Sequence, residues 1–403
     1  MKKLILSLLL TVGITTSAFA DYIFVVPQKP GGGTSQWTEI IIAQLEPFLG
    51  EKITIEYQPG ARDIPGFNKW HNEYRDNDKI VMVSHGGNGV SFLQENVDYN
   101  YGEYTSIGLM NLNIIAGKLK GADMSKPIFP AGSGMVPEAF AMTLLICGPN
   151  KSMDEYVACF KENVTWVPGM GGGDRRLAFK RGELTGSREN PASYKKHIAP
   201  NENAEVWFHH GILQADGSHI DDVNYPGFQL EILFEEKYGV APSGEFYDAY
   251  KLVKSFRDGM QKALWVNKGN PNAKKLQEAL LEMSKDEEAI KAIQKKVGNY
   301  EWKIGDAGDN HRDTLMTFIT ENALKNLVKF NTGAIDKNKT EKKFSKSENE
   351  LKKEEIKIAK IRLKDERKRL KEEERARKFK LKNKKWIVTK KDKNEVAAIK
   401  NKA

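Results

Sequence analysis

The residues best placed to do chemistry in this chain lie in glycine-rich loops. Lys29-Pro30-Gly31-Gly32-Gly33-Thr34-Ser35 joins an apolar run to a segment of helical spacing. Unpaired N–H groups at such a helix entrance can point at an anion, helped by the helix dipole. The alternative is a plain strand-to-helix turn. The loop has neither the lysine and spacing of a P-loop nor a Gly-x-Gly-x-x-Gly pattern. Pro130-Ala131-Gly132-Ser133-Gly134-Met135-Val136-Pro137-Glu138 repeats the arrangement with better helix signals: Ser133 can cap, Pro137 fits the first turn and Glu138 favours the start. Bare glycine amides with a serine hydroxyl make a carboxylate cradle without lysine or arginine, and the alternative is an ordinary capped helix. Gly169-Met170-Gly171-Gly172-Gly173-Asp174 permits close backbone approach, by a ligand or by the hinge side of a cleft, and the sequence leaves both open. Arg175 and Arg176 beside it read as solvated surface or as anion-steering charge. Arg188 and Asn190, in a polar stretch at an expected strand end, and Ser84 and Gly86, where another strand stops, complete the candidate ligand-binding set.

No catalytic constellation accompanies these loops. No serine, histidine and acid have nucleophile-elbow spacing. His209 and His210 are adjacent in a strand-like run, so they face opposite ways and make a joint metal site unfavourable. Cys147 and Cys159 are the only cysteines. They either pair across the Gly148-Pro149-Asn150 turn or stay free, and two thiols alone do not complete a tetrahedral zinc site. No cofactor and no metal are expected. Asn163-Val164-Thr165 matches a glycosylation acceptor, with chance as the default reading in an expected strand.

The elements that must position these loops alternate between strand and helix. Strands are expected at 22–26, 53–57 and 79–83, with a helix over 37–49, which implies a parallel sheet whose carboxyl ends carry the glycine loops. A second α/β unit is expected from a strand near 128–129, a helix over 138–146, a strand over 164–167, a helix from 174 and a strand near 205–208. Long helical segments over 246–265 and 272–297 are expected to return to the first unit.

Residues 1–20 have the build of a secretory signal: Lys2 and Lys3, an apolar run, then Ser17-Ala18-Phe19-Ala20. Of the 63 Lys+Arg and 54 Asp+Glu, 27 and 13 fall from Asp336 onward, a net of +14. With the two leader lysines set aside, residues 21–335 hold 34 and 41, a net of −7. The basic charge therefore belongs to the tail, and it gives no argument for nucleic-acid binding by the globular part. Alternating charge at helical spacing supports a solvated helix over 346–382.

The order of loops resembles the substrate-binding proteins of tripartite tricarboxylate transporters, the Bug-type receptors. The carrying segments are Pro30-Gly31-Gly32-Gly33-Thr34, Gln58-Pro59-Gly60-Ala61, Ala131-Gly132-Ser133-Gly134 and Val167-Pro168-Gly169-Met170-Gly171-Gly172. Weak singly, they are collinear over residues 22–305 and follow a leader. The resemblance implies an α/β, two-lobed periplasmic-binding-protein fold of type II, to which the composition adds a C-terminal charged helical tail. The expected boundaries are a leader at 1–20, lobe 1 from 21–112 and 215–335, lobe 2 from 113–214 and the tail from 336–403. It further implies a monomeric periplasmic receptor that closes on a small carboxylate and delivers it to membrane permease subunits. Two departures bear on the ligand: Ser35-Gln36 stands where an acidic residue is frequent, and Gly169-Met170 where a lysine is. The basic tail is foreign to the pattern. The competing expectation is a scaffold or interaction protein acting through that tail on anionic lipid or another polyanion such as nucleic acid.

Overall fold

The computed structural model describes residues 21–132, 136–214, 216–298 and 300–334. The expected leader (1–20), the loop residues Ser133, Gly134 and Met135, and the charged tail lie outside the described residues. In chain order the first elements are β1 (Tyr22–Val26), α1 (Gly33–Leu49), β2 (Ile53–Tyr57), α2 (Ile64–Lys69), β3 (Ile80–His85), α3 (Gly86–Gln94) and β4 (Tyr104–Met110). There follow β5 (Ile115–Leu119), β6 (Ile128–Gly132), α4 (Pro137–Cys147), α5 (Met153–Asn163), β7 (Thr165–Pro168), α6 (Gly172–Lys180), β8 (Gly186–Glu189), α7 (Pro191–His197) and β9 (Ala204–His209). After a small hairpin, β10 (Ile212–Leu213) and β11 (His219–Ile220), come α8 (Leu230–Tyr238), α9 (Glu245–Gly259), β12 (Lys262–Asn267), α10 (Ala273–Met283) and α11 (Glu287–Val297). The last elements are β13 (Trp302–Ile304), α12 (Asp306–Thr317) and α13 (Glu321–Ala334).

The main sheet has the order β13-β4-β12-β3-β1-β2. As expected from the alternation, β1 pairs in parallel with both β2 and β3. β12 comes from the far end of the chain and inserts antiparallel between β3 and β4. Every residue of β3 is buried, so its first four residues, Ile80–Val83, read as a continuous apolar run rather than an alternation, before Ser84 and His85. Trp37, Ile41 and Leu45 of α1 join Leu276 and Leu280 of α10 and Ile293 of α11 in one core, under one face of this sheet. The second unit is built differently from a parallel sheet: β8-β5-β9 is antiparallel throughout, and only the separate β6–β7 pair is parallel.

Three element expectations need correction. Residues 246–265 are not one helix, because α9 ends at Gly259 and 262–267 is the buried strand β12. Residues 272–297 form α10 and α11, broken at Ser284 and restarted where the Asp286 carboxylate accepts the Ala289 N–H. Asn163 closes α5 instead of entering a strand, and its side-chain amide donates to the Cys159 carbonyl at 2.9 Å.

Helix α4 is buried almost all round, which suits its apolar sequence. Phe140 meets Phe330 of α13 at 4.4 Å and Phe246 of α9 at 5.0 Å between ring centroids. Tyr156 of α5 stacks on Phe246 at 4.1 Å. Aromatic contact therefore fixes α4 and α5 of the second unit on α9 and α13, which come later in the chain. Cys147 and Cys159 are bonded, with Cα atoms 6.2 Å apart, which answers the question their spacing leaves open. The bond joins the end of α4 to α5, and closing a loop of this length contributes about 3 kcal/mol. Among the described residues no helix is long and apolar enough to cross a membrane.

Candidate functional site

A cavity of about 690 Å³ opens between the start of α1 and the start of α6. Gly31, Gly32 and Gly33 line one side, and Gly172, Gly173, Arg176 and Asn190 the other. Gly31 has φ +85°, the left-handed region that favours glycine, and it turns the chain from β1 into α1. Neither α1, capped by Gly32, nor α6, capped by Gly171, has a side-chain cap. Two helix entrances with open amides thus share one space, each adding the partial positive charge of its dipole. The sequence left the 169–174 loop open between ligand and hinge, and the structure puts its Gly172 and Gly173 on the cavity wall.

The other candidates sit in varied places. Asn190 lines the cavity while its side-chain amide oxygen Oδ1 caps α7, accepting the Ser193 N–H at 2.8 Å. Tyr300, also on the wall, donates its hydroxyl to the same oxygen at 3.3 Å. Pro30 is exposed beside the loop. Thr34 is buried, with its Oγ1 accepting from Lys262 Nζ at 2.7 Å. Ser35 supports the loop from behind: its hydroxyl accepts the Gly31 N–H at 3.0 Å and donates to Glu39 at 2.6 Å. Ser84 is buried in β3, where it accepts from Trp265 Nε1 at 2.7 Å. Gly86 packs so closely on the end of α9 that a Cβ there would lie 1.9 Å from the Arg257 carbonyl oxygen. Ala131 is buried in β6, which ends at Gly132, and Ser133, Gly134 and Met135 lie outside the described residues.

Cationic side chains stand on the cavity wall beside the glycine loops. Lys262, on the cavity wall at the start of β12, is 8% exposed. Burial, and then the Arg257 charge, pull its ammonium down to about 7 against the opposing field of Asp63. Arg188 is buried in β8 and contacts Glu138 at 3.2 Å. Arg176 forks onto Glu189 with bonds of 2.9 and 2.8 Å, so it is a held side chain and not a solvated one. Arg175 is half-buried, with its Nε closed off from solvent. His209 and His210 each have their own acidic partner, Asp221 at 2.9 Å and Asp258 at 2.7 Å, and packing accounts for both.

No protein-family model and no curated protein matches the sequence. Solved structures do match the fold. A Rhodopseudomonas palustris protein with adipate superposes with a TM-score of 0.51 at 11% identity, over 78% of this chain and 97% of that one. The fold is that of a type II periplasmic binding protein. The sheet order β2-β1-β3-β12-β4, with a late strand inserted antiparallel beside β3, accords with it. Similar structures include MatC from Rhodopseudomonas palustris with bound malate, at a TM-score of 0.48, 14% identity and 78% and 99% coverage of the two chains. A TctC solute binding protein from Polaromonas gives 0.49 at 13% identity, over 77% and 99%. Within this fold Gly31, Gly32 and Gly33 of one glycine loop and Gly172 and Gly173 of another line one cavity.

Proposed function

We propose that the protein is a solute-binding receptor that captures a small carboxylate in the cleft between lobe 1 (21–112 and 215–335) and lobe 2 (113–214). It acts in the periplasm, without catalysis of its own, and delivers the solute to the membrane permease subunits of a tripartite transporter. The observation that carries this reading is the opening of two uncapped helix entrances, α1 and α6, onto one cavity of about 690 Å³. That size suits a small metabolite. The collinear glycine motifs and the adipate held by a protein of the same fold support the same ligand class. The acidic globular part, net −7, makes charge-driven binding of polyanions by this part unfavourable and leaves that role to the tail.

Trp37 lines the cavity, so its emission reports on occupancy and closure. Titration of the ligand-free protein with mono-, di- and tricarboxylates and with amino acids is expected to give saturable fluorescence changes with at least one acid. A broad panel that produced no saturable response, checked by calorimetry, would sink the receptor reading.

A further inference from the structure

Lys262 stands on the cavity wall with no group of opposite charge bonded to it. It opens β12, in register with His85 of β3 on one side and Met110 of β4 on the other. From there it reaches the first turn of α1, where its Nζ donates to Thr34 Oγ1 at 2.7 Å. It is only 8% exposed, and it lines the cavity together with Gly31, Gly32 and Gly33.

An ammonium group has three donors. Among the described residues Thr34 Oγ1 is the one side-chain acceptor that Lys262 meets, and no salt bridge joins it. Asp63, the acid whose field reaches it, is engaged elsewhere: its Oδ2 accepts from His85 Nε2 at 2.9 Å and from Gln28 Nε2 at 3.2 Å. The Arg257 charge and the positive end of α1 both oppose the ammonium. A buried amine in such surroundings sheds its proton readily. A carboxylate resting on the α1 amides would bring the missing counter-charge beside it.

We propose that Lys262 is the counter-charge of the bound carboxylate, and that the receptor takes up a proton on this side chain as the solute enters. This rests on the receptor reading and adds a control to it: capture is proton-linked, and a rise in pH favours release. In the empty receptor the amine loses its charge above about 7. A carboxylate beside it raises that value, so a proton is bound with the solute between about 7 and the raised value, and affinity falls as the pH rises through this window. His85, the titratable neighbour on β3, does not supply this proton. Its Nδ1 accepts the Gly87 N–H at 3.0 Å, its Nε2 donates to Asp63, and burial holds it neutral throughout the window. The fields of Arg257 and Asp63 act on Lys262 with and without solute.

Calorimetric titration of the full-length protein at pH 8, in two buffers of different ionisation enthalpy, counts the protons. It is run with adipate, with malate and with each further acid of the panel that saturates the protein. The wild type is expected to take up between about half a proton and one proton per solute, and to lose affinity about five- to tenfold from pH 7.5 to 8.5. Lys262→Met is expected to abolish the uptake, to flatten the pH dependence and to weaken binding at pH 7 about thirtyfold. Without solute, Lys262→Met is not expected to lower the melting temperature at pH 8, because a hydrocarbon replaces a buried, unpaired amine. A bound acid that brings no proton in the wild type overturns the proposal without recourse to any variant. Uptake retained in Lys262→Met, or equal affinity of the two proteins at pH 7, overturns it too, and a lowered melting temperature beside either result marks Lys262 as structural. All three results leave the receptor reading standing, whereas a panel in which no acid binds overturns that reading and the proton link with it.

Discussion

Glu138→Ala is expected to destabilise the protein by about 3–5 kcal/mol, because it leaves Arg188 buried without its ion-pair partner. Glu138 is completely buried in the first turn of α4, and its Oε1 accepts from Arg188 Nη1 at 3.2 Å. Burial pushes the carboxyl up, but the charges of Arg188, His210 and Arg257 together outweigh it and bring it down to about 2. The helix dipole acts in the same direction as those charges. A carboxylate depressed in the folded state contributes stability that is fully present above its unfolded value, about 4.3, and is lost as the pH falls through its folded value. For Glu138 that window runs from there down to about 2, and the contribution is about 3 kcal/mol. Denaturant unfolding at a series of pH values checks both parts. The wild type is expected to lose stability across the window, while Glu138→Gln starts lower at neutral pH and lacks that share of the acid-dependent loss. Superimposable pH curves for the two proteins would contradict the assignment.

Phe140→Ala is the second large effect, also about 3–5 kcal/mol, by loss of buried area and the cavity left behind. The ring is completely buried and touches aromatic rings of both α9 and α13. It therefore joins α4, which follows the second glycine loop, to the helix that carries Arg257. Urea unfolding is expected to show a lower midpoint with an unchanged slope, and Phe140→Leu a smaller shift. A loss below about 1 kcal/mol would mean that the surrounding helices collapse around the gap and that this cluster does not fix the arrangement.

The glycine loops were legible because the chemistry they serve is written in the backbone. An amide that must face a ligand needs a residue without bulk, and a run such as Gly31-Gly32-Gly33 after an apolar strand says so locally. The parallel strands β1, β2 and β3 were legible for a similar reason, as apolar runs bounded by glycine and proline. β12 was not. Ala263-Leu264-Trp265-Val266 is buried on both faces, and a short continuous apolar run after a helix cannot be told from more helix by periodicity. Gly259 was the one local signal of a break. Lys262 was hidden with that strand, because a side chain that reaches Thr34 from 228 positions away leaves no mark near either residue. Arg176 read as surface because its fork onto Glu189 of β8 is a tertiary contact that helix periodicity does not mark. The sharing of one cavity by the first glycine loop and Gly172 and Gly173 is likewise tertiary, and nothing local to either loop announces it.

A crystal structure of the protein with the tightest-binding acid of the panel tests most directly whether amides of two helix entrances hold one anion. The expected result is a carboxylate with its oxygens about 3 Å from main-chain N–H groups at the starts of both α1 and α6. An acid bound in the surface groove beside Trp207 and Phe228, with no contact to Gly31, Gly32, Gly33, Gly172 or Gly173, would contradict it.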